Sequence, residues 1–177
     1  MTKPLLLKNL RLMGADAADV LIEGGRIAQI APKITPTGEV SVEDCGGALA
    51  LPGLVDAHAH LDKTLWGMPW HPHQQGKSLQ EMIDTERKLR HELDMDAERQ
   101  SARQVALALS KGTTAIRSHV DIDTEHGLSL HRGVAATRAR YADVMQIETV
   151  AFPQSGLMIR PGTLELMDEA LHEGADI

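Results

Sequence analysis

The sequence predicts an α/β protein: the N-terminal portion of a TIM-type (β/α)8 barrel over residues 53–177, preceded by a small antiparallel β segment over residues 1–52. Up to Pro52 the chain has short alternating apolar runs and Gly-containing turns, without a helical pattern. After Pro52, strand and helix patterns alternate, which indicates parallel βαβ units. A whole barrel needs roughly 250 residues. Only about 125 follow Pro52, so we expect an incomplete barrel with its first three βα units.

The first segment is predicted to contain four short strands. Residues 40–44 and the second half of residues 5–12 alternate apolar and polar side chains, as half-buried strands do. Residues 19–23 and 26–30 flank the pair Gly24-Gly25, a pattern typical of a β-hairpin with a two-residue turn. We therefore expect a small sheet without helices.

The second segment alternates strands with helices, and its polar, His-containing positions follow the strands. Ser78 and Glu81 form a capping box, which predicts a helix start. Gly112 marks the end of another helix. Residues 175–177 look like the start of a fourth strand. The remaining predicted elements are strand 54–58, helix 95–110, strand 113–120, helix 129–141, strand 144–152 and helix 163–172.

Composition excludes several classes of function. The net charge of −7 argues against a nucleic-acid-binding protein, since phosphate binding needs a basic surface, and it gives no reason to expect binding to an anionic membrane. Cys45 is the single cysteine, so no internal disulfide can form and a reducing compartment is expected. No stretch approaches the roughly 20 apolar residues of a membrane span. These features predict a soluble cytoplasmic protein.

Two histidines follow the first barrel strand. Residues i and i+2 of a strand share one face, so His58 and His60 point the same way. At the end of a strand that we expect to be buried on both sides, they would form half of a site for one divalent metal, zinc or iron. Alternatively they bond only to backbone or water. His71 and His73 repeat the spacing in a Pro/Gly-rich loop, where no strand fixes their geometry, and we do not expect them to bind metal.

Polar residues also end the next two strands. Arg117, His119 and Asp121 alternate, so they share a face near the expected active site. They could instead form an ion-pair network that only shapes the barrel mouth. Gln154 follows the third strand. Its amide offers one acceptor and two donors, enough to recognise an amide-like edge of a heterocycle, although a turn residue without a role is the alternative.

At these residues the chain resembles the cytosine deaminase branch of the metal-dependent amidohydrolase superfamily. The likeness rests on His-Ala-His-Leu-Asp at 58–62, Ile-Arg-Ser-His-Val-Asp at 116–121 and Val-Ala-Phe-Pro-Gln at 150–154. Residues 22–30 look like the start of the superfamily's small β-sandwich domain. The resemblance thus covers nearly the whole chain, and its three motifs together are specific.

The resemblance implies roles for individual residues. His58 and His60 would be two ligands of a single catalytic metal, Zn or Fe, and Gln154 would hydrogen-bond the amide edge of a pyrimidine. His119 and Asp121 match family positions near the site, without a defined catalytic role. The implied activity is hydrolytic deamination of cytosine or a similar amino-substituted N-heterocycle.

Three alternatives to an active cytosine deaminase remain open. The family's other ligands and its acid/base Glu lie on later strands, so we expect this chain to be inactive unless a longer or second chain completes the barrel. A homo-oligomer is a separate expectation for its partners. The first alternative is a triazine amidohydrolase, because Lys63-Thr64 departs from the family pattern and triazine amidohydrolases look similar over this stretch. A cyclic-amide hydrolase of the same superfamily is the second alternative, and a truncated inactive fragment is the third.

Overall fold

The computed structural model describes residues 3–72, 76 and 78–177. The chain divides into two compact units, Met1–Pro52 and Gly53–Ile177. None of the described helices combines the length and apolar character that a membrane crossing requires.

The first unit is one five-stranded sheet. Its strands are β1 (Leu5–Leu12), β2 (Ala17–Glu23), β3 (Arg26–Ala31), β4 (Ser41–Asp44) and β5 (Leu49–Ala50). The order is β3-β2-β1-β4, with β5 also paired to β1. The β1–β2 and β2–β3 pairs are antiparallel, as expected, but β4 and β5 run parallel to β1. The expectation of a purely antiparallel segment is therefore wrong, because the chain crosses over after β3 and returns in the direction of β1.

The buried carboxylate of Asp19 binds backbone groups at the edge of this sheet's regular pairing. The β1–β2 register is irregular between Leu7 and Leu10, where Asn9 has a positive φ of 54°. Asp19 accepts hydrogen bonds from the backbone N–H groups of Ile34 (2.9 Å) and Asn9 (3.1 Å). The Ile34 N–H, and after it the Asn9 N–H, hold the pKa of Asp19 below its usual value. The ionised carboxylate thus binds two backbone groups that the sheet leaves unpaired.

The second unit is a parallel sheet with helices packed on it. Its strands lie in the order β6-β7-β8. Both strand pairs are parallel, and the described residues form no closed barrel. The prediction of an α/β fold with an incomplete barrel is confirmed. The elements are β6 (Leu54–Ala59), α1 (Leu79–Glu92), α2 (Ala97–Ser110), β7 (Thr113–Asp121), α3 (Ser129–Arg140), β8 (Gln146–Phe152) and α4 (Thr163–His172).

The core of this unit lies around the central strand. Val120 of β7 packs with Val105 of α2 and Val134 of α3, all fully buried. A second cluster, which includes Ala151 of β8 and Ala170 of α4, lies between this strand and this helix. Residues 175–177, expected to begin a strand, pair with β8 through backbone hydrogen bonds such as that from Ala151 N–H to Ile177 O (2.7 Å). These contacts hold β7 and β8 in the packed interior of the second unit.

Strand β6 is more exposed than its sequence suggests. Leu54 is 51% and Val55 69% exposed, so the expectation of a strand buried on both sides is wrong. The reason is that β6 pairs only with β7 among the described strands, which leaves it at an edge. The predicted helix cap is confirmed: the Ser78 hydroxyl accepts a hydrogen bond from Glu81 N–H at the start of α1.

Candidate metal and substrate site

Three histidine rings meet where β6 and β7 end. His58 lies in β6, His60 directly follows it, and His119 lies in β7. The ring centroids of His58 and His60 are 5.6 Å apart, and His119 stacks on His58 at 4.2 Å. Phe152 of β8 packs edge-on against His60 and His119. Neighbouring parallel strands end at the same edge of a sheet, so three predicted side chains from two strands come together.

Two buried carboxylates lie beside His60. Its Nδ1 is 3.6 Å from Asp62 Oδ1 and 4.0 Å from Asp121 Oδ1. The backbone N–H of Asp121 donates to Asp62 Oδ2 (2.9 Å), which links the end of β6 to the end of β7. Asp121 was a predicted site residue, whereas Asp62 was not. Strand alternation could not have identified it, because β6 ends at Ala59 and Asp62 lies in the turn that follows.

Two cations from distant parts of the chain neutralise Asp121. Its Oδ2 lies 2.9 Å from an Nη of Arg90 and 3.2 Å from Lys63 Nζ. Glu86 contacts both cations, at 2.7 Å from Arg90 and 3.3 Å from Lys63. Burial, and next the charge of Asp62, raises the pKa of Asp121, while Lys63 and Arg90 act in the opposite direction. Sequence patterns did not indicate this network, because its partners are far apart in the chain.

The donor set fits a divalent metal. Among the described residues, three buried atoms at this site that could bind a metal have no hydrogen-bond partner: His60 Nδ1, Asp62 Oδ1 and His119 Nδ1. His60, Asp62 and Asp121 each offer a ligand atom within 4.8 Å of the others. Burial, and next the charge of His58, lowers the pKa of His119, which favours the neutral ring that can bind a metal. Imidazole and carboxylate ligands suit zinc or iron.

Arg117 lies further from this cluster. Its Nε donates to Glu148 Oε2 of β8 at 2.7 Å, and its side chain is 48% exposed. The guanidinium charge also acts to lower the pKa of His119. The structure therefore brings His119 and Asp121 to the histidine cluster and leaves Arg117 in an ion pair on the neighbouring strand.

Gln154 lines a cavity of about 500 Å³. The cavity is bounded by apolar residues of α1 and of the loop before it, including Leu65, Pro72 and Met82. Glu86 lines it too, so the cavity adjoins the network that holds Lys63 and Asp121. His71 is part of its wall, whereas its predicted companion, His73, lies outside the described residues.

Known proteins resemble the chain over nearly its whole length. No family model matches it. The uncharacterized protein YahJ of Escherichia coli K12 is 37% identical over 88% of this chain and 34% of its own length. The crystal structure of N-isopropylammelide isopropylaminohydrolase from Burkholderia multivorans is 44% identical, with a TM-score of 0.93 over 99% of this chain and 44% of that one.

A third relative is the 5-methylcytosine deaminase of Klebsiella pneumoniae, whose structure with 5-fluorocytosine is 26% identical to this chain. The TM-score is 0.77, and the match covers 97% of this chain and 42% of the deaminase. The chain thus spans less than half the length of the proteins that it matches.

Proposed function

We propose, on the premise that this chain corresponds to the N-terminal part of amidohydrolase-superfamily enzymes, that the protein carrying it is a metal-dependent hydrolase of C–N bonds. Its substrate would be an amino-substituted N-heterocycle, either a pyrimidine such as cytosine or a triazine with an alkylamino group. The names of two relatives, N-isopropylammelide isopropylaminohydrolase and 5-methylcytosine deaminase, support these two substrate types.

The observation that carries this proposal is the cluster of His58, His60 and His119 beside two buried carboxylates. Burying unpaired imidazoles and carboxylates is costly unless a ligand satisfies them. A buried ring nitrogen without a hydrogen-bond partner, such as His119 Nδ1, is expected at a metal site and not in a structural ion-pair network.

His58 and His60 would hold one divalent metal, which when bound supplies a water acidic enough to serve as hydroxide near neutral pH. Asp62 and Asp121 would orient the His60 ring, since both face its Nδ1. Because Lys63 and Arg90 already neutralise Asp121, we favour this orienting role for Asp121 over direct metal binding.

Gln154 would position the heterocycle. Its amide can accept one hydrogen bond and donate two, which matches the alternating acceptor and donor groups on the edge of a cytosine or triazine ring. The group that delivers a proton to the leaving amine is expected in the part of the protein that follows this chain in its relatives.

The test is amine release by the native-length protein that carries this chain, loaded with Zn²⁺ or Fe²⁺. N-Isopropylammelide should yield isopropylamine if the triazine preference is correct, and cytosine should yield ammonia if the pyrimidine preference is correct. Activity towards either substrate should disappear in the His58→Asn/His60→Asn variant. Release of neither amine, or activity that persists in the variant, would overturn the proposal.

A further inference from the structure

We propose that His91, Glu125 and His126 form a second divalent-metal site, of the kind that binds Zn²⁺, at the end of α1. One ligand atom of each residue lies within 4.8 Å of the other two. His91 Nε2 is 2.9 Å from Glu125 Oε1, and the rings of His91 and His126 are 5.3 Å apart, inclined by 28°. None of these residues belongs to the histidine cluster at the ends of β6 and β7.

The turn that carries two of the ligands is well ordered by its own hydrogen bonds. Asp123 Oδ1 accepts from the backbone N–H groups of Glu125 (3.0 Å) and His126 (3.1 Å). Gly127 N–H donates to Asp123 O (2.8 Å), and the φ of 55° at Gly127 closes the turn. Asp123 is itself paired with the buried Arg87 at 2.9 Å. A metal site needs ligands held in place before binding, and this turn provides that.

The third ligand lies where a cation is favoured. His91 is in the last turn of α1, where the unpaired carbonyls at a helix C-terminus carry partial negative charge. His126 Nε2 is a buried atom with no hydrogen-bond partner among the described residues, so a bound ion would satisfy it. Burial, and next the charge of Arg90, lowers the pKa of His126, in agreement with a neutral ring.

Glu125 divides its two oxygens between different partners. Oε1 faces His91, whereas Oε2 lies 3.5 Å from Arg87 and 3.8 Å from Arg160. Oε1 is hydrogen-bonded to His91 Nε2 at 2.9 Å, so a metal bound between these two residues would replace that hydrogen bond. Two imidazoles and one carboxylate oxygen select zinc-type ions over Ca²⁺ or Mg²⁺, which prefer sets of oxygen ligands.

A metal here would be a structural metal that links two parts of the fold. It would join the C-terminal end of α1 to the turn after β7. The same helix carries Arg87 and Arg90, which reach Asp123 and Asp121. Zinc binding should therefore stabilise the fold around the candidate active site, by an amount that grows with the logarithm of the zinc concentration divided by Kd.

The experiment uses the full chain with the His58→Asn/His60→Asn substitutions, so that the first metal site is disabled. Titration calorimetry with ZnCl₂ should detect one Zn²⁺ per chain. Adding His91→Ala should weaken this binding by more than about tenfold, because even the loss of an outer-shell partner costs a metal site about that much. His172→Ala is the matched control. It removes an exposed helical histidine outside the cluster and should leave zinc binding unchanged.

Thermal unfolding gives a second readout. Zn²⁺ should raise the Tm of the His58→Asn/His60→Asn protein, and Mg²⁺ should not. His91 is largely exposed, at 61%, so its replacement should leave the circular dichroism spectrum of the metal-free protein unchanged. Absence of zinc binding in the doubly substituted protein would overturn the proposal. So would equal zinc affinity with and without His91.

Discussion

At the scale of single residues, Asp121 links the candidate site to the stability of the second unit. Its carboxylate is almost fully buried and lies beside a second one, that of Asp62. Such a pair is tolerated only where cations compensate it, and Arg90 and Lys63 supply them. Removing one cation should leave a buried charge incompletely paired.

We predict that Arg90→Met destabilises the chain by about 3 kcal/mol, near the lower end of the range for breaking a buried ion pair, since Lys63 remains in contact with Asp121. Urea unfolding measures this change. Lys88→Met is the control on the same helix: Lys88 is 77% exposed and, among the described residues, its one ion pair is with Glu92, so its loss should cost less than about 0.5 kcal/mol. Equal effects of the two substitutions would refute the assigned role of Arg90.

Gln154 offers a prediction about substrate recognition. Gln154→Leu should lower kcat/KM of the native-length protein by about 10- to 100-fold, as expected for a lost hydrogen bond that leaves a buried substrate group unpaired. Metal content should stay unchanged, because Gln154 lines the cavity and is not one of the residues proposed to hold the metal. Steady-state kinetics and metal analysis of the same preparation check both statements. Loss of metal in this variant would argue against a substrate-binding role.

At the scale of elements, the β1–β2 pair depends on the ionisation of Asp19. The folded state holds the pKa of Asp19 below its unfolded value, so its contribution to stability is present above roughly pH 3.9 and is lost as the pH falls through the folded pKa. We predict that the wild-type chain loses more stability than Asp19→Asn between neutral pH and about pH 3.

Urea-unfolding midpoints at the two pH values test this prediction. Asp16→Asn serves as the control, because it removes the same charge from an exposed position three residues away. It should keep the pH dependence of the wild type. If Asp19→Asn kept that dependence as well, the hydrogen bonds to Ile34 and Asn9 would not be the source of it.

Local patterns predicted some elements well and others poorly. The cap at Ser78 depends on residues three apart and was predicted from the sequence alone. The alternation in β7 placed His119 and Asp121 on one face. In contrast, the exposure of Val55 depends on which strands flank β6, and the parallel pairing of β4 depends on a crossover after β3. Neither is encoded within the strand itself.

At the scale of the whole molecule, the α/β class and the incomplete barrel followed from the order of the patterns and from chain length. The network around Asp121 did not, because its partners Arg90 and Lys63 are 31 and 58 residues away in the sequence. Pairings of this kind arise only when the strands and α1 are assembled. The ion-pair network around Asp121 was thus not visible from local spacing, whereas the pair His58 and His60 was.

Removal of the metal is the most direct test of the proposed hydrolase function, because it asks whether amine release depends on a bound metal. After dialysis of the native-length protein against a chelator, we predict that amine release falls by more than about 100-fold, because the hydroxide nucleophile depends on a bound metal. Activity should return with added Zn²⁺ or Fe²⁺ in the wild type, and should not return in His58→Asn/His60→Asn. Undiminished hydrolysis without metal, or recovery of the double variant with added metal, would contradict the proposed function.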